Sequence, residues 1–103
     1  MLEAIKNLFG IDKTDYAALV KQGALILDVR SKSEYSGGHI KNSINIPVNE
    51  LQNNLSKLKS KDQTIITCCA SGMRSASAKS ILINNGYQNV HNGGGWNSLN
   101  NKL

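Results

Sequence analysis

Apolar positions along the chain fall into short blocks whose spacing changes from one block to the next. Leu2, Ile5, Leu8 and Phe9 recur at helical intervals and predict a short amphipathic opening. A second helix is expected to run through Lys21, capped by Asp12 or Thr14, with Tyr16, Leu19 and Val20 inward and Gly23 ending it. Residues 24–29, ALILDV, form a continuous apolar run interrupted by one acid, the pattern of a strand covered on both faces. Ser31 and Glu34 have the spacing of a capping box, so a short helix carrying Tyr35 should follow and break at Gly37-Gly38.

Residues 44–46 predict a second strand, ended by Pro47. Val48, Leu51, Leu55 and Leu58 then recur at intervals of an amphipathic helix. Residues 64–68 predict a third strand, residues 74–85 a helix stopped by Gly86, and residues 89–91 a last strand. Gly93-Gly94-Gly95 reads as a loop and residues 96–99 as a final helical turn. Strand and helix alternate throughout. The expected architecture is α/β, an open parallel sheet of about four to five strands with helices on both faces.

Length sharpens this to one domain over residues 1–103, the first ten forming a short N-terminal extension. Twelve basic against seven acidic residues leave a net charge of +5. Ten of the twelve are lysines scattered singly apart from Lys57, Lys59 and Lys61, with no arginine run and few aromatics. A solvated lysine surface is therefore expected, modestly attractive to small anions, with no nucleic-acid partner. No apolar stretch reaches signal-peptide or membrane-span length, so no membrane partner is expected.

The two cysteines, Cys68 and Cys69, are adjacent and cannot staple distant parts of a fold. A disulfide scaffold is excluded, and a monomer in the reducing cytoplasm is the expected state. Adjacency also places the pair where a strand gives way to a tight turn. Ligands of open parallel sheets bind beyond the carboxyl ends of the strands. There, loop amides and the dipole of the following helix favour an anion. Gly72 frees the backbone for a sharp turn, and Arg74 adds a permanent cation. Each of these effects favours thiolate over thiol, so Cys69 is the expected nucleophile.

Cys69-Ala70-Ser71-Gly72-Met73-Arg74-Ser75 resembles the active-site loop of rhodanese-like sulfurtransferases. Leu27-Asp28-Val29-Arg30 with Glu34-Tyr35, Gly38-His39-Ile40 and Ile44-Asn45-Ile46-Pro47 resemble that family's upstream signatures in order. Gly86-Tyr87 and Gly93-Gly94-Gly95-Trp96 resemble its C-terminal part, so the resemblance spans roughly residues 11–99. It implies a sulfane sulfur moved from a small anionic donor, thiosulfate or a persulfide or polysulfide, to cyanide, a thiol or a protein acceptor through a persulfide on Cys69. The amides of Ala70, Ser71, Gly72, Met73 and Arg74 would bind the donor, with Arg74 orienting the leaving group and Asp28, Arg30 and Ser75 in support. No cofactor and no metal are implied.

Two other readings stand beside it. Counted from Cys68 the loop is C-x5-R-S, the spacing of cysteine-dependent phosphatases and arsenate reductases. A non-catalytic binding module of the same fold is the other, although both Cys69 and Arg74 are present. Cys68 is read as a packing residue or as a thiol that resolves the persulfide. Arg30 is expected to pair with Glu34 or another local acid, His39 to shape the fold, and Trp96 to line the pocket rim or the core. His91 shows no partner in the sequence.

Overall fold

A computed structural model describes residues 13–103, so the helical opening expected over Leu2 to Phe9 lies outside the described residues. The elements alternate as expected: α1 (Tyr16–Lys21), β1 (Leu25–Asp28), α2 (Lys32–Ser36), β2 (Ile44–Asn45), α3 (Val48–Leu51), a 3-10 turn (Leu55–Lys57), β3 (Ile65–Cys69), α4 (Met73–Asn84), β4 (Val90–Gly95) and α5 (Trp96–Asn100). Four strands form one parallel sheet in the order β2-β1-β3-β4. The chain builds outward from β1 to β2, then returns to the other side of β1 for β3. The strand order therefore reverses between β1 and β3, and the carboxyl ends of these two strands flank the switch point.

Alternation along the buried strands divides the core in two. Leu27, Ile65 and Cys69 face a cluster with Leu51, Leu58, Ala78 and Leu82. That cluster joins α3, the 3-10 turn and α4. Ile26, Ile66 and Cys68 face the opposite way, onto Tyr16 of α1 and Leu99 of α5. Each fully buried aliphatic side chain contributes on the order of 1.5–3 kcal/mol, so both layers hold the sheet. Helices on both faces follow directly. Among the described residues, no helix is long and apolar enough to cross a membrane.

Local chemistry sets the helix ends and corrects three expectations. The cap of α1 is Asp15, whose carboxylate accepts the Ala18 N–H at 3.0 Å, in place of Asp12 or Thr14. Ser31 and Glu34 form the expected capping box at α2. The helix expected from Val48 to Leu58 is interrupted after Leu51. Asn54 leaves helical geometry at φ −128° and its side-chain amide donates to the Glu50 carbonyl at 2.7 Å, an alternative to the helical ladder. Leu51 and Leu58 still reach the same cluster.

The third correction concerns Gly93, Gly94 and Gly95, which continue β4 in place of a loop. A Cβ on Gly93 would lie 2.8 Å from Ile66 Cγ2 and 2.9 Å from both Leu99 Cδ2 and the Thr67 carbonyl oxygen. A Cβ on Gly95 would lie 2.9 Å from the Ala70 carbonyl oxygen. These glycines serve close packing of β4 against β3 and its outgoing loop. The register slips between Thr67 and Cys69, so that Cys69 pairs with Gly95.

Candidate active site

Cys68 and Cys69 end β3 with their side chains on opposite faces of the sheet. Cys68 packs with Ile26, Ile40, Ile66 and Leu99, and burial, with Asp28 nearby, pushes its thiol up to about 12. It remains protonated and faces away from the loop. The C-x5-R phase counted from Cys68 thus has no sulfur in the loop to serve it.

Cys69 is buried at the floor of the turn. Gly72, at φ +111°, directs its N–H onto Cys69 Sγ at 2.9 Å. A side chain would resist this backbone geometry, which explains glycine at the position. Ser75 Oγ lies 3.4 Å from the sulfur, with the Cys69 thiol donating. Burial raises the Cys69 pKa. The Ser75 hydroxyl and the backbone N–H groups of Ser75, Gly72 and Ser71 outweigh it, and the net shift is downward. Gly72 also caps α4, a helix of twelve residues, so the sulfur lies at that helix's N-terminal end. Ala70, Ser71 and Met73 project outward, Met73 with 80% of its surface exposed.

Arg74 lies in the first turn of α4 and is not a free cation. Its Nη1 and Nη2 donate to the two carboxylate oxygens of Glu34 at 2.7 and 2.9 Å. No acid near the loop in sequence offered itself, and α2 delivers one from a distance. Arg74 also lines an open cleft of about 430 Å³ with Val29, Ser31, Lys32, Pro47 and Val48. Such a volume suits a small organic ligand as well as an inorganic anion.

Arg30 pairs with Asp28 and not with the Glu34 carboxylate. Its Nη2 donates to Asp28 Oδ2 at 2.7 Å and its Nε to both carboxylate oxygens at 3.0 Å. Both residues are buried. The remaining bonds of Arg30 reach the carbonyls of Glu34 and Gly38, and its guanidinium stacks 4.6 Å from the centre of the Trp96 ring. The pair therefore braces the segment between β1 and β2 rather than the Cys69 loop. His39 is exposed and stacks on Tyr35 with ring centres 3.8 Å apart, away from the sulfur.

Two residues at the site escaped the sequence reading. Glu34 was legible as half of a capping box, but nothing nearby marked it as the partner of Arg74. Asn92 on β4 carried no signal at all. Its Oδ1 accepts from Ser75 Oγ at 2.6 Å and from the Gly94 N–H at 3.0 Å, and its Nδ2 donates to the Gly72 carbonyl at 3.3 Å. Among the described residues, no group of three or more His, Cys, Asp and Glu side chains is placed to hold a metal ion.

A parallel α/β sheet with a buried cysteine at its switch point, beside loop amides at a helix start, is an arrangement that favours negative charge on that sulfur. The match to the rhodanese-like domain covers residues 12–102, and the chain belongs to that family. It is 36% identical over 70 residues to the thiosulfate sulfurtransferase PspE of Escherichia coli K12, covering 67% of each chain. It is 37% identical over 67 residues to a tRNA sulfurtransferase of Thermoplasma acidophilum, covering 65% of this chain but only 13% of that protein. A solved structure of rhodanese with anions from E. coli superimposes with a TM-score of 0.70 at 32% identity, covering 74% of this chain and 91% of that one.

Proposed function

We propose that the protein is a sulfurtransferase in which Cys69 carries sulfane sulfur as a persulfide. The Gly72 N–H donating to Cys69 Sγ at 2.9 Å, at the N-terminal end of α4, is the observation that supports this most directly. Donors at the sulfur lower its pKa and favour the thiolate, which is the nucleophilic form. The Cys69 thiolate attacks the outer sulfur of the donor and forms a new S–S bond. The donor's own S–S bond breaks, and its electron pair leaves with sulfite from thiosulfate, or with a thiolate from an organic persulfide. An acceptor thiolate or cyanide then attacks the outer sulfur, and Cys69 departs again as thiolate. The loop amides stabilise negative charge at each stage without reorganising.

The Arg74–Glu34 pair informs the choice of donor. With its guanidinium engaged, the loop offers amide dipoles rather than a free positive charge. Singly charged persulfides and polysulfides suit this environment at least as well as thiosulfate dianion. The exposed Ala70, Ser71 and Met73 put the outside of the loop within reach of a thiol or protein acceptor. We place this chemistry in the reducing cytoplasm, on a monomeric chain without cofactor.

The test is the intact mass of the protein after treatment with thiosulfate or polysulfide, followed by thiocyanate formation with cyanide. One added sulfur atom is expected on the wild type and on Cys68→Ser, and none on Cys69→Ser. A persulfide that persists in Cys69→Ser, or no added sulfur from any donor, overturns the proposal.

A further inference from the structure

Asn92 stands opposite Thr67 in the β3–β4 register, and its side chain reaches the start of α4. Three hydrogen bonds fix which way its amide points. Oδ1 meets two donors, the Gly94 N–H and the Ser75 hydroxyl, while Nδ2 meets one acceptor, the Gly72 carbonyl. A flipped amide would set its NH2 group against the Gly94 N–H and its oxygen against the Gly72 oxygen. Asn92 therefore presents an acceptor, and not a donor, to Ser75.

The buried Ser75 hydroxyl has one proton and three acceptors within reach: Asn92 Oδ1 at 2.6 Å, the Gly72 oxygen at 3.0 Å and Cys69 Sγ at 3.4 Å. While Cys69 is a thiol, its S–H points at Ser75 Oγ, and the Ser75 proton goes to the shortest partner, Asn92. A thiolate has no proton to donate and attracts donors more strongly than a neutral amide oxygen does. The hydroxyl must then turn from Asn92 to the sulfur. Asn92 Oδ1 then keeps only the Gly94 N–H, while Nδ2 stays on the Gly72 carbonyl.

We propose that Asn92 is a positioning residue for the nucleophile, holding the Ser75 hydroxyl off the sulfur while Cys69 is protonated and releasing it when Cys69 ionises. This rests on the reading of Cys69 as the nucleophile. The Ser75–Asn92 bond belongs to the thiol state alone, so it opposes ionisation. Its removal increases the thiolate fraction, whereas a merely structural Asn92 would do the reverse. Loss of a structural brace would loosen Gly72 and Gly94 and withdraw donors from the sulfur.

The charged and titratable groups placed near Cys69 among the described residues are Arg74 of α4 with Glu34 of α2 upon it, Cys68 on the far face of β3 with Asp28 at the end of β1 and Arg30 beside it, and Tyr87 in the same core cluster. All stay in place in the variants below. The thiolate absorbance of the full chain is titrated against pH, a readout that needs no turnover. Asn92→Leu, close in shape, is expected to raise the thiolate fraction on the acid limb by about three- to tenfold, the effect of one ordinary hydrogen bond. Asn92→Asp keeps a stronger acceptor and adds negative charge, so the fraction falls. Ser75→Ala also lowers it, and in that background Asn92→Leu changes nothing further.

An unchanged or lowered thiolate fraction in Asn92→Leu overturns the proposal, as does an undiminished effect in the Ser75→Ala background. If Asn92→Leu does not fold, Asn92→Asp decides: a fraction equal to or above wild type overturns it. Failure of the sulfurtransferase reading shows separately, as absence of the persulfide mass on the wild type.

Discussion

Arg74 and Glu34, forty positions apart in sequence, meet through two N–H···O bonds of 2.7 and 2.9 Å. Glu34 Oε1 also accepts the Ser31 N–H at 3.1 Å and the Ser31 hydroxyl at 2.9 Å. One carboxylate thus closes the capping box of α2 and anchors the first turn of α4. The two elements flank the carboxyl ends of β1 and β3, so the ion pair spans the mouth of the site.

Breaking that pair should alter donor preference and acid tolerance together. The Arg74 guanidinium, then the Ser31 N–H and hydroxyl, hold the Glu34 carboxyl down at about 2, against an ordinary 4.5. A depressed carboxyl contributes fully above its unfolded value and loses its contribution as pH falls through its folded value. The brace should therefore weaken between about 4.5 and 2 and stay intact at neutral pH. Glu34→Gln removes this dependence and frees Arg74 at all pH values. Its KM for thiosulfate should fall severalfold, because an unpaired guanidinium meets the dianion. A KM equal to that of the wild type would show that the guanidinium does not meet the donor.

Gly95 offers a separate test of loop position. Its backbone is ordinary, with φ −67° and ψ 136°, so a side chain there meets no backbone strain. The obstacle is the Ala70 carbonyl oxygen, 2.9 Å from where a Cβ would sit. Ala70 directly follows Cys69, and relief of the clash must shift the loop or β4. Misplacing reacting groups by about 1 Å can cost 10²-fold in rate. Gly95→Ala should therefore lose on the order of 10- to 100-fold in kcat/KM for sulfur transfer while it still unfolds cooperatively. Unimpaired transfer would show that the loop tolerates displacement.

What the sequence revealed and what it hid divide by distance along the chain. The Cys69 loop was legible because sulfur, Gly72, Arg74 and Ser75 lie within seven residues, and local geometry imposes most of their relationships. The Ser31–Glu34 box was legible for the same reason. The strand alternation that sends Cys68 and Cys69 to opposite faces is equally local. Glu34 on Arg74 and Asn92 on Ser75 are products of the sheet order, which brings α2 and β4 to the loop from either side. Gly93 to Gly95 misled because glycine usually marks a turn, and only the packed Ile66, Leu99 and Ala70 show that Gly93 and Gly95 lack room for a side chain, while Gly94 sits at φ +79°. The break after Leu51 was hidden because its apolar spacing is helical, while Asn54 diverts its backbone.

The Asp28–Arg30 pair permits a prediction that separates folding from chemistry. Asp28 is fully buried and Arg30 nearly so, and three N–H groups of Arg30, the backbone one included, converge on the Asp28 carboxylate. Asp28→Asn keeps the volume but leaves a buried guanidinium without its counter-charge, which costs about 3–5 kcal/mol. For a domain of this length, Tm should fall by at least about 12 °C, taking the smaller cost and about 4 °C per kcal/mol. Arg30 makes its other bonds to the carbonyls of Glu34 and Gly38, and it stacks on Trp96. None of these partners belongs to the ring of donors around Cys69. Well below its Tm, Asp28→Asn should alkylate at Cys69 as fast as the wild type at each pH. Thermal unfolding and iodoacetamide kinetics on one preparation separate the two effects. A stable variant with slowed alkylation would move Asp28 from the fold's support to the nucleophile's, the reverse of what its contacts indicate.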